Sequence, residues 1–325
     1  MALHYTHSCW KIAILEMGRA VVVLSSVMYK MAESERASRF FHGSLTKPLV
    51  ERFVAGEDVD SVIAEAKDLN ASGMEVSLDL LGENVRDITQ ATAYTDAYID
   101  VLKRIEQDGV RGNISAKLTM VGLDISDECA TGNIEKIVSA ADGHGNFVRI
   151  DMEGSAYTER TLAIFRQIHD RHPKAVGIVL QSYLYRTDGD IEEMIERQAR
   201  VRIVKGAYKE PDTIAYPRKQ EVDTAYRRHV KRLLDAANYP AIATQDPEMV
   251  QLAKNHAARH DIDTSRYEFQ MMYGIGRSLQ SELVAEGYTV RIYVPFGEEW
   301  FPYFTRRLAE RPANMLFLAR SLVKR

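Results

Sequence analysis

A chain of 325 residues with a formal net charge of −4 carries no global basic field, which disfavours nucleic acid or an anionic membrane as a primary partner. Its apolar fraction of 46% and charged fraction of 27% supply a sizeable core and exclude long disordered stretches. Cys9 and Cys129 are too far apart in sequence for a metal-ligand or redox spacing and read as incidental thiols in a reducing compartment.

Apolar residues cluster between Ala20 and Tyr29, a run about half as long as a membrane-spanning helix needs, with Lys11, Glu16 and Arg19 upstream. No clean small-residue cleavage site follows, so an N-terminal helix packed on the outside of the fold is expected rather than a signal peptide. Met31 to Gly56 is polar and helical in pattern, punctuated at Gly43, Pro48 and Gly56. Residues 1–72 are therefore expected to form a helical leader, ending in a helix over Ser61–Ala71, and residues 73–325 to form the catalytic body.

From there an alternation sets in. β-rich apolar runs occur at Val76–Leu81, Asn113–Leu118, Phe147–Met152, Val176–Gln181, Val201–Val204, Pro240–Thr244, Tyr267–Met271 and Val290–Val294. Helical patterns follow each of them: Ile88–Gln107, Ile134–Ala141, Glu159–Asp170, Asp190–Arg200, Glu221–Ala237, Pro247–His260, Arg277–Glu286 and Glu298–Glu310. Eight strand–helix units predict an α/β protein, a (β/α)8 barrel of the TIM type with N-terminal helices, rather than a doubly wound sheet.

In such a barrel the site lies at the carboxyl ends of the strands. The polar residues there are Lys117 (NISAKLT), Asp151 and Glu153 (VRIDMEG), Gln181 (IVLQSY), Arg202 and Lys205 (VRIVKGAY), Thr244 and Gln245 (IATQD), Gln270 (YEFQMMYG) and Tyr293. Each has an ordinary structural reading: Asp151 as a turn cap, Gln181 as a partner for backbone groups, Lys117 or Arg202 as half of an ion pair. On the last helix Tyr303, Arg306, Arg307 and Glu310 share one face, either as a carboxylate clamp or as a solvated face with an Arg306–Glu310 ion pair. Trp300, Phe301 and Phe304 crowd the same turns and favour a pocket. Together these residues predict a locally cationic mouth suited to an anionic substrate or cofactor. Gly206 in VKGAY permits close backbone approach. The sequence has neither G-x-G-x-x-G opening a helix nor G-x-x-x-x-G-K-[ST], and the histidines show no H-E-x-x-H, so no Rossmann or Walker site and no metal are expected.

The motifs SLDLLGENV, AKLTMVGLDIS, VRIDMEGS, VLQSYLYRT, VRIVKGAYKEP, FQMMYGI and RIYVPFGEEWFPYFTRRLAERPAN occur in an order that resembles the proline dehydrogenase family, over roughly Phe53 to Leu322. The Tyr-x-x-Arg-Arg-x-x-Glu helix after RIYVP is the most specific of them and is similar to the short monofunctional bacterial form. The resemblance implies an enzyme that binds FAD, oxidises L-proline to Δ1-pyrroline-5-carboxylate and passes electrons to a membrane quinone. It further implies a cytoplasmic protein associating peripherally with the inner face of the cell membrane. Carried over residue by residue, it implies that Arg306 and Arg307 grip the substrate carboxylate, with Lys117, Tyr293, Tyr303 and Glu310 also in the substrate site. Asp151 and Arg202 would be catalytic, Arg202 lying near flavin N5. Met152, Gln181, Val204, Lys205, Gly206, Ala207, Thr244 and Gln245 would contact FAD. The chain departs from the family at Gln245, where a histidine is usual; glutamine can donate a hydrogen bond but carries no charge. Oxidation of a proline analogue such as hydroxyproline, and a catalytically silent flavin- or amino-acid-binding barrel, are the alternatives.

Overall fold

The computed structural model describes residues 50–309, which fall into two units: residues 55–297, and residues 50–54 with 298–309. In the first, the strands are β1 (Glu75–Leu80), β2 (Gly112–Ala116), β3 (Val148–Ile150), β4 (Val176–Gln181), β5 (Arg200–Val204), β6 (Ala241–Ala243), β7 (Glu268–Met272) and β8 (Val290–Phe296). Each pairs in parallel with its successor and β1 pairs with β8, closing the barrel that the sequence predicts. Helix α1 (Val59–Ala71) precedes β1. Seven helices then alternate with the strands: α2 (Ile88–Gln107), α3 (Asp127–Gly143), α4 (Ser155–Arg171), α5 (Thr187–Glu196), α6 (Lys219–Ala236), α7 (Pro247–Arg259) and α8 (Arg277–Ala285).

The period of two in β1 explains how the barrel is filled. Val76 and Leu78 are fully buried and share one core cluster with Leu102 and Ile105 of α2, each such side chain contributing about 1.5–3 kcal/mol of burial. The alternate residues Ser77 and Asp79 point the other way. That face must be the barrel interior, because Arg202 of β5 donates to Ser77 Oγ at 3.2 Å from the opposite side of the barrel.

Helix starts follow capping chemistry. Asp87 accepts from Gln90 N–H at the start of α2, and Asp246 caps α7 with Pro247 in its first turn. The expected third helix, Ile134–Ala141, begins earlier, at Asp127, because Ser126 caps it and Asp127 and Glu128 suit the positive end of its dipole. The expected Asp190–Arg200 helix stops at Glu196: Gln198 takes a positive φ of 53° and Arg200 is already paired with Gly177 as the first residue of β5. The last strand, expected over Val290–Val294, does not end there. It continues to Phe296 because Asp79 and Leu80 keep pairing with Pro295 and Phe296, while the Pro295 carbonyl accepts from Ala55 N–H at 2.9 Å. The reversal falls at Gly297, whose φ of 118° favours glycine.

Helix α1, grouped with the leader from sequence, lies in the same unit as the barrel and buries Val62, Ile63 and Ala66 in its core cluster. In the second unit, helix α9 (Trp300–Ala309) buries Trp300, Phe301, Tyr303, Phe304 and Thr305. Phe304 meets Phe53 edge-on at 6.1 Å and Trp300 at 5.8 Å, so the aromatic crowding read from the sequence is packing within this unit.

The amino end of the barrel is filled by arginines. Arg149, 2% exposed, donates through Nη1 to the Arg200 carbonyl at 2.5 Å and the Ile178 carbonyl at 3.3 Å. Its guanidinium lies 4.8 Å from the Phe147 ring, on which Arg200 also stacks at 4.5 Å. Gly177 makes this possible, since a Cβ there would stand 2.6 Å from Arg149 Nη1 and 2.5 Å from the Arg200 carbonyl oxygen. Gly177→Ala should lower stability by about 1–3 kcal/mol through overpacking, read as a lower denaturation midpoint; an unchanged midpoint would mean that the guanidinium has room elsewhere.

Candidate active site

The topology brings the carboxyl ends of the strands together, and with them most of the residues expected from sequence. Lys117 follows β2, Asp151 and Met152 follow β3, Gln181 ends β4, Arg202 and Val204 lie on β5, and Thr244 and Gln245 follow β6. Tyr293 lies on β8, paired with Met272 on one side and Ser77 on the other.

Four of these side chains form one hydrogen-bonded network, together with Asp79, which the strand-end pattern does not single out. Lys117 Nζ donates to both oxygens of Asp79 at 2.9 and 3.1 Å, stands 3.4 Å from the Tyr293 hydroxyl and 3.8 Å from Asp151 Oδ2. The Tyr293 hydroxyl donates to Asp151 Oδ2 at 2.8 Å, and Arg202 Nη1 donates to Asp151 Oδ1, also at 2.8 Å. Arg202 Nη2 reaches Ser115 Oγ at 3.0 Å and Ser77 Oγ at 3.2 Å, and Nε donates to Gln270 Oε1. Gln270 in turn donates to Glu268, which accepts from Arg291 Nε at 3.0 Å. The chain of contacts therefore runs from the mouth to the amino end of the barrel.

Within the barrel unit, the three cations expected at the mouth are each matched by carboxylates. Lys117 and Arg202 are matched by Asp79 and Asp151, and Lys205 is held by Asp223 at 2.6 Å and Asp246 at 3.1 Å. Asp79 is legible in EVSLDLL, where Glu75, Ser77 and Asp79 recur at period two in an otherwise apolar strand, but it lies before the strand end rather than past it.

The electrostatics fix the protonation of the donors. Burial works against the charge on Lys117, but Asp79 and Asp151 outweigh it and raise its pKa above the ordinary value. Burial, with Asp151 and Asp79 adding to it, raises the Tyr293 hydroxyl well above its usual range. Both shifts favour the protonated, donating forms at neutral pH. Burial also pushes Asp79 up, and Lys117 only partly offsets this.

The residues expected to face the cofactor differ in exposure. Met152, Gln181 and Thr244 are buried, Val204, Lys205, Gly206 and Gln245 half-buried, and Ala207 exposed. Gln181 Nε2 donates to the carbonyls of Met152 and Glu153, both at 3.2 Å, which sets the orientation of its amide. Its Oε1 is then a buried acceptor with no hydrogen-bond partner among the described residues. Thr244 Oγ1 accepts from Asp246 N–H at 3.1 Å. Gly206, at φ 115°, is required by the Tyr183 ring: a Cβ would stand 2.3 Å from Tyr183 Cδ1. In the second unit, the Arg307 guanidinium lies 5.3 Å from the Tyr303 ring centroid. The Arg306 side chain and Glu310 lie outside the described residues.

Glu153 is enclosed beside this network, accepting from Thr119 N–H at 3.1 Å and Thr119 Oγ1 at 2.6 Å. Burial pushes its carboxyl up to about 7, against the opposing pull of both Thr119 bonds and of Lys117. Because the folded state holds this proton more tightly than the unfolded chain, its contribution to stability is complete below the ordinary glutamate value near 4.5 and is lost as pH rises through 7. The full effect is on the order of 3 kcal/mol. Glu153→Gln should flatten that part of the stability profile, measured by denaturant unfolding from acid to mildly alkaline pH; parallel profiles would place the titration in another group.

The family profile described as Proline dehydrogenase matches residues 62–320. The chain is 37% identical to "Proline dehydrogenase 1" of Bacillus subtilis (strain 168) over 303 residues, covering 93% of this chain and 100% of that protein. It is 40% identical to "Proline dehydrogenase" of Deinococcus radiodurans over 280 residues, covering 85% of this chain and 90% of that one. Among solved structures it resembles proline utilization A of Bdellovibrio bacteriovorus inactivated by N-propargylglycine, with a TM-score of 0.79 at 24% identity. That match covers 89% of this chain but only 35% of the other, and supports the barrel fold. A profile spanning most of the chain, and relatives of this identity matched over nearly their whole length, mean that the chain belongs to the proline dehydrogenase family of oxidoreductases.

Proposed function

We propose that this protein oxidises L-proline to Δ1-pyrroline-5-carboxylate with FAD as the hydride acceptor and a quinone as the final electron acceptor. The observation that carries this reading is the network joining Asp79, Lys117, Tyr293, Asp151 and Arg202 at the carboxyl ends of the strands, in a chain of this family. The fit to a flavin rests on Gln181 Oε1, a buried acceptor of fixed orientation that an imide N–H would satisfy. Gln181, with Met152, Val204, Lys205, Gly206, Ala207, Thr244 and Gln245, would hold the cofactor. When bound, FAD would accept the hydride from the proline ring carbon bonded to nitrogen, while that nitrogen loses a proton.

The protein's own part is positioning and electrostatics. Arg202, 4% exposed, is fixed by Asp151, Gln270, Ser77 and Ser115. A cation that does not reorganise stabilises negative charge developing nearby more effectively than a mobile one. Lys117, kept protonated between Asp79 and Asp151, supplies a fixed donor at the mouth. Asp151 ties Arg202 to Tyr293 and so sets the spacing of the two. In this reading the substrate carboxylate is gripped by Arg306 and Arg307, with Tyr303 and Glu310 on the same helix face, which would orient the ring for transfer. In this reading electron delivery to a quinone would occur by peripheral association with the membrane surface; among the described residues no helix is long and apolar enough to cross a membrane.

The deciding experiment is anaerobic addition of L-proline to the purified protein while following the flavin absorbance. Bleaching by proline and not by hydroxyproline is the expected result; a bound flavin left oxidised by proline would remove the substrate assignment, and a colourless protein that takes up no FAD the cofactor. Arg306→Met and Arg307→Met should each raise the apparent KM for proline steeply with FAD retained, and wild-type kinetics in both would remove the clamp. Arg202→Met should instead slow flavin reduction at saturating proline by roughly 10²–10³-fold, the scale of losing a fixed electrostatic donor, and an unchanged rate would dismiss that role.

A further inference from the structure

Away from the barrel mouth, two neighbouring helices bring together side chains that the proposed reaction does not use. Asp235 lies in the last turn of α6, His256 in the last turn of α7, and His260 caps the carboxyl end of α7. His256 and His260 are four residues apart, which stacks their rings with centroids 4.3 Å apart and an interplanar angle of 29°. Asp235 comes from the other helix: its Oδ1 lies 2.6 Å from His256 Nε2. One ligand atom from each of the three groups lies within 4.8 Å of the others.

We propose that Asp235, His256 and His260 form a binding site for a divalent transition-metal ion of the Zn2+ class, clipping α6 to α7. Two imidazole nitrogens and one carboxylate oxygen are the donor set of zinc, nickel and copper sites, whereas magnesium and calcium prefer all-oxygen shells. Three protein ligands leave the remaining coordination positions to water, as the partial exposure of the cluster allows. A tetrahedral ion held at about 2.1 Å from each ligand sets those ligands roughly 3.4 Å apart. The widest separation, up to 4.8 Å, therefore needs to close by on the order of 1 Å, within reach of torsions at the ends of two helices. The Asp235–His256 contact, at 2.6 Å, opens to that spacing as the ion replaces the proton between the two groups. The sequence reading expects no metal because the pair lacks the glutamate of H-E-x-x-H and its third ligand sits 21 residues upstream of His256 on another helix.

The test is calorimetric titration of the untagged, metal-stripped holoenzyme with Zn2+, alongside thermal unfolding with and without Zn2+. One equivalent bound per chain and a raised melting temperature are expected, since an ion that binds only the folded state stabilises it. In His256→Ala and His260→Ala the affinity should fall at least tenfold and the thermal shift vanish, while proline turnover without added metal stays at the wild-type level. Asp235→Asn should weaken binding less, because the amide oxygen still ligates. Binding that persists unchanged in the two histidine variants would place the ion at other side chains, and absence of Zn2+ binding by the wild-type chain would equally overturn the proposal.

Discussion

The network at this mouth depends on pairing the charges it buries inside a parallel barrel. A lone ion in such an interior costs several kcal/mol after relaxation. Arg202, at 4% exposure, is tolerated because Asp151, Gln270, Ser77 and Ser115 occupy its guanidinium. The requirement propagates. Gln270 must be held by Glu268, and Glu268 is held by Arg291, whose attraction keeps its carboxyl down at about 2 although burial works in the opposite direction. Removing one partner strands a charge, so the column behaves as a unit rather than as separable pairs.

That unit accounts for the character of the site. Its cations are present but matched, so the mouth is a set of fixed dipoles and ion pairs more than a reservoir of positive charge. Fixed donors suit a reaction in which orientation and electrostatic preorganisation do most of the work.

The glycines show how local sequence serves distant geometry. Gly177 has no conformational need to be glycine; it is small so that Arg149 can cross the barrel floor to the Arg200 carbonyl. Gly206 has both reasons, a positive φ and the face of Tyr183 against it. From sequence Gly206 suggested only close approach of a ligand, since the neighbour that occupies the space is 23 residues away in the chain.

Strand and helix identity, their alternation, and so the closed barrel were written in the sequence, because hydrophobic period and capping residues act over a few positions. Carboxyl-end positions for Lys117, Asp151, Gln181 and Thr244 followed from the same pattern, since a barrel of known handedness sends every strand end to one mouth. Pairing was another matter. That Lys117 would choose Asp79 over Asp151, that Lys205 would be taken by Asp223 and Asp246, and that Asp235 would meet His256 are facts about groups brought together across the chain. A one-dimensional pattern reports which face a residue occupies; only the folded barrel decides which charge it meets there, because that depends on register and tilt between strands that the local sequence does not encode.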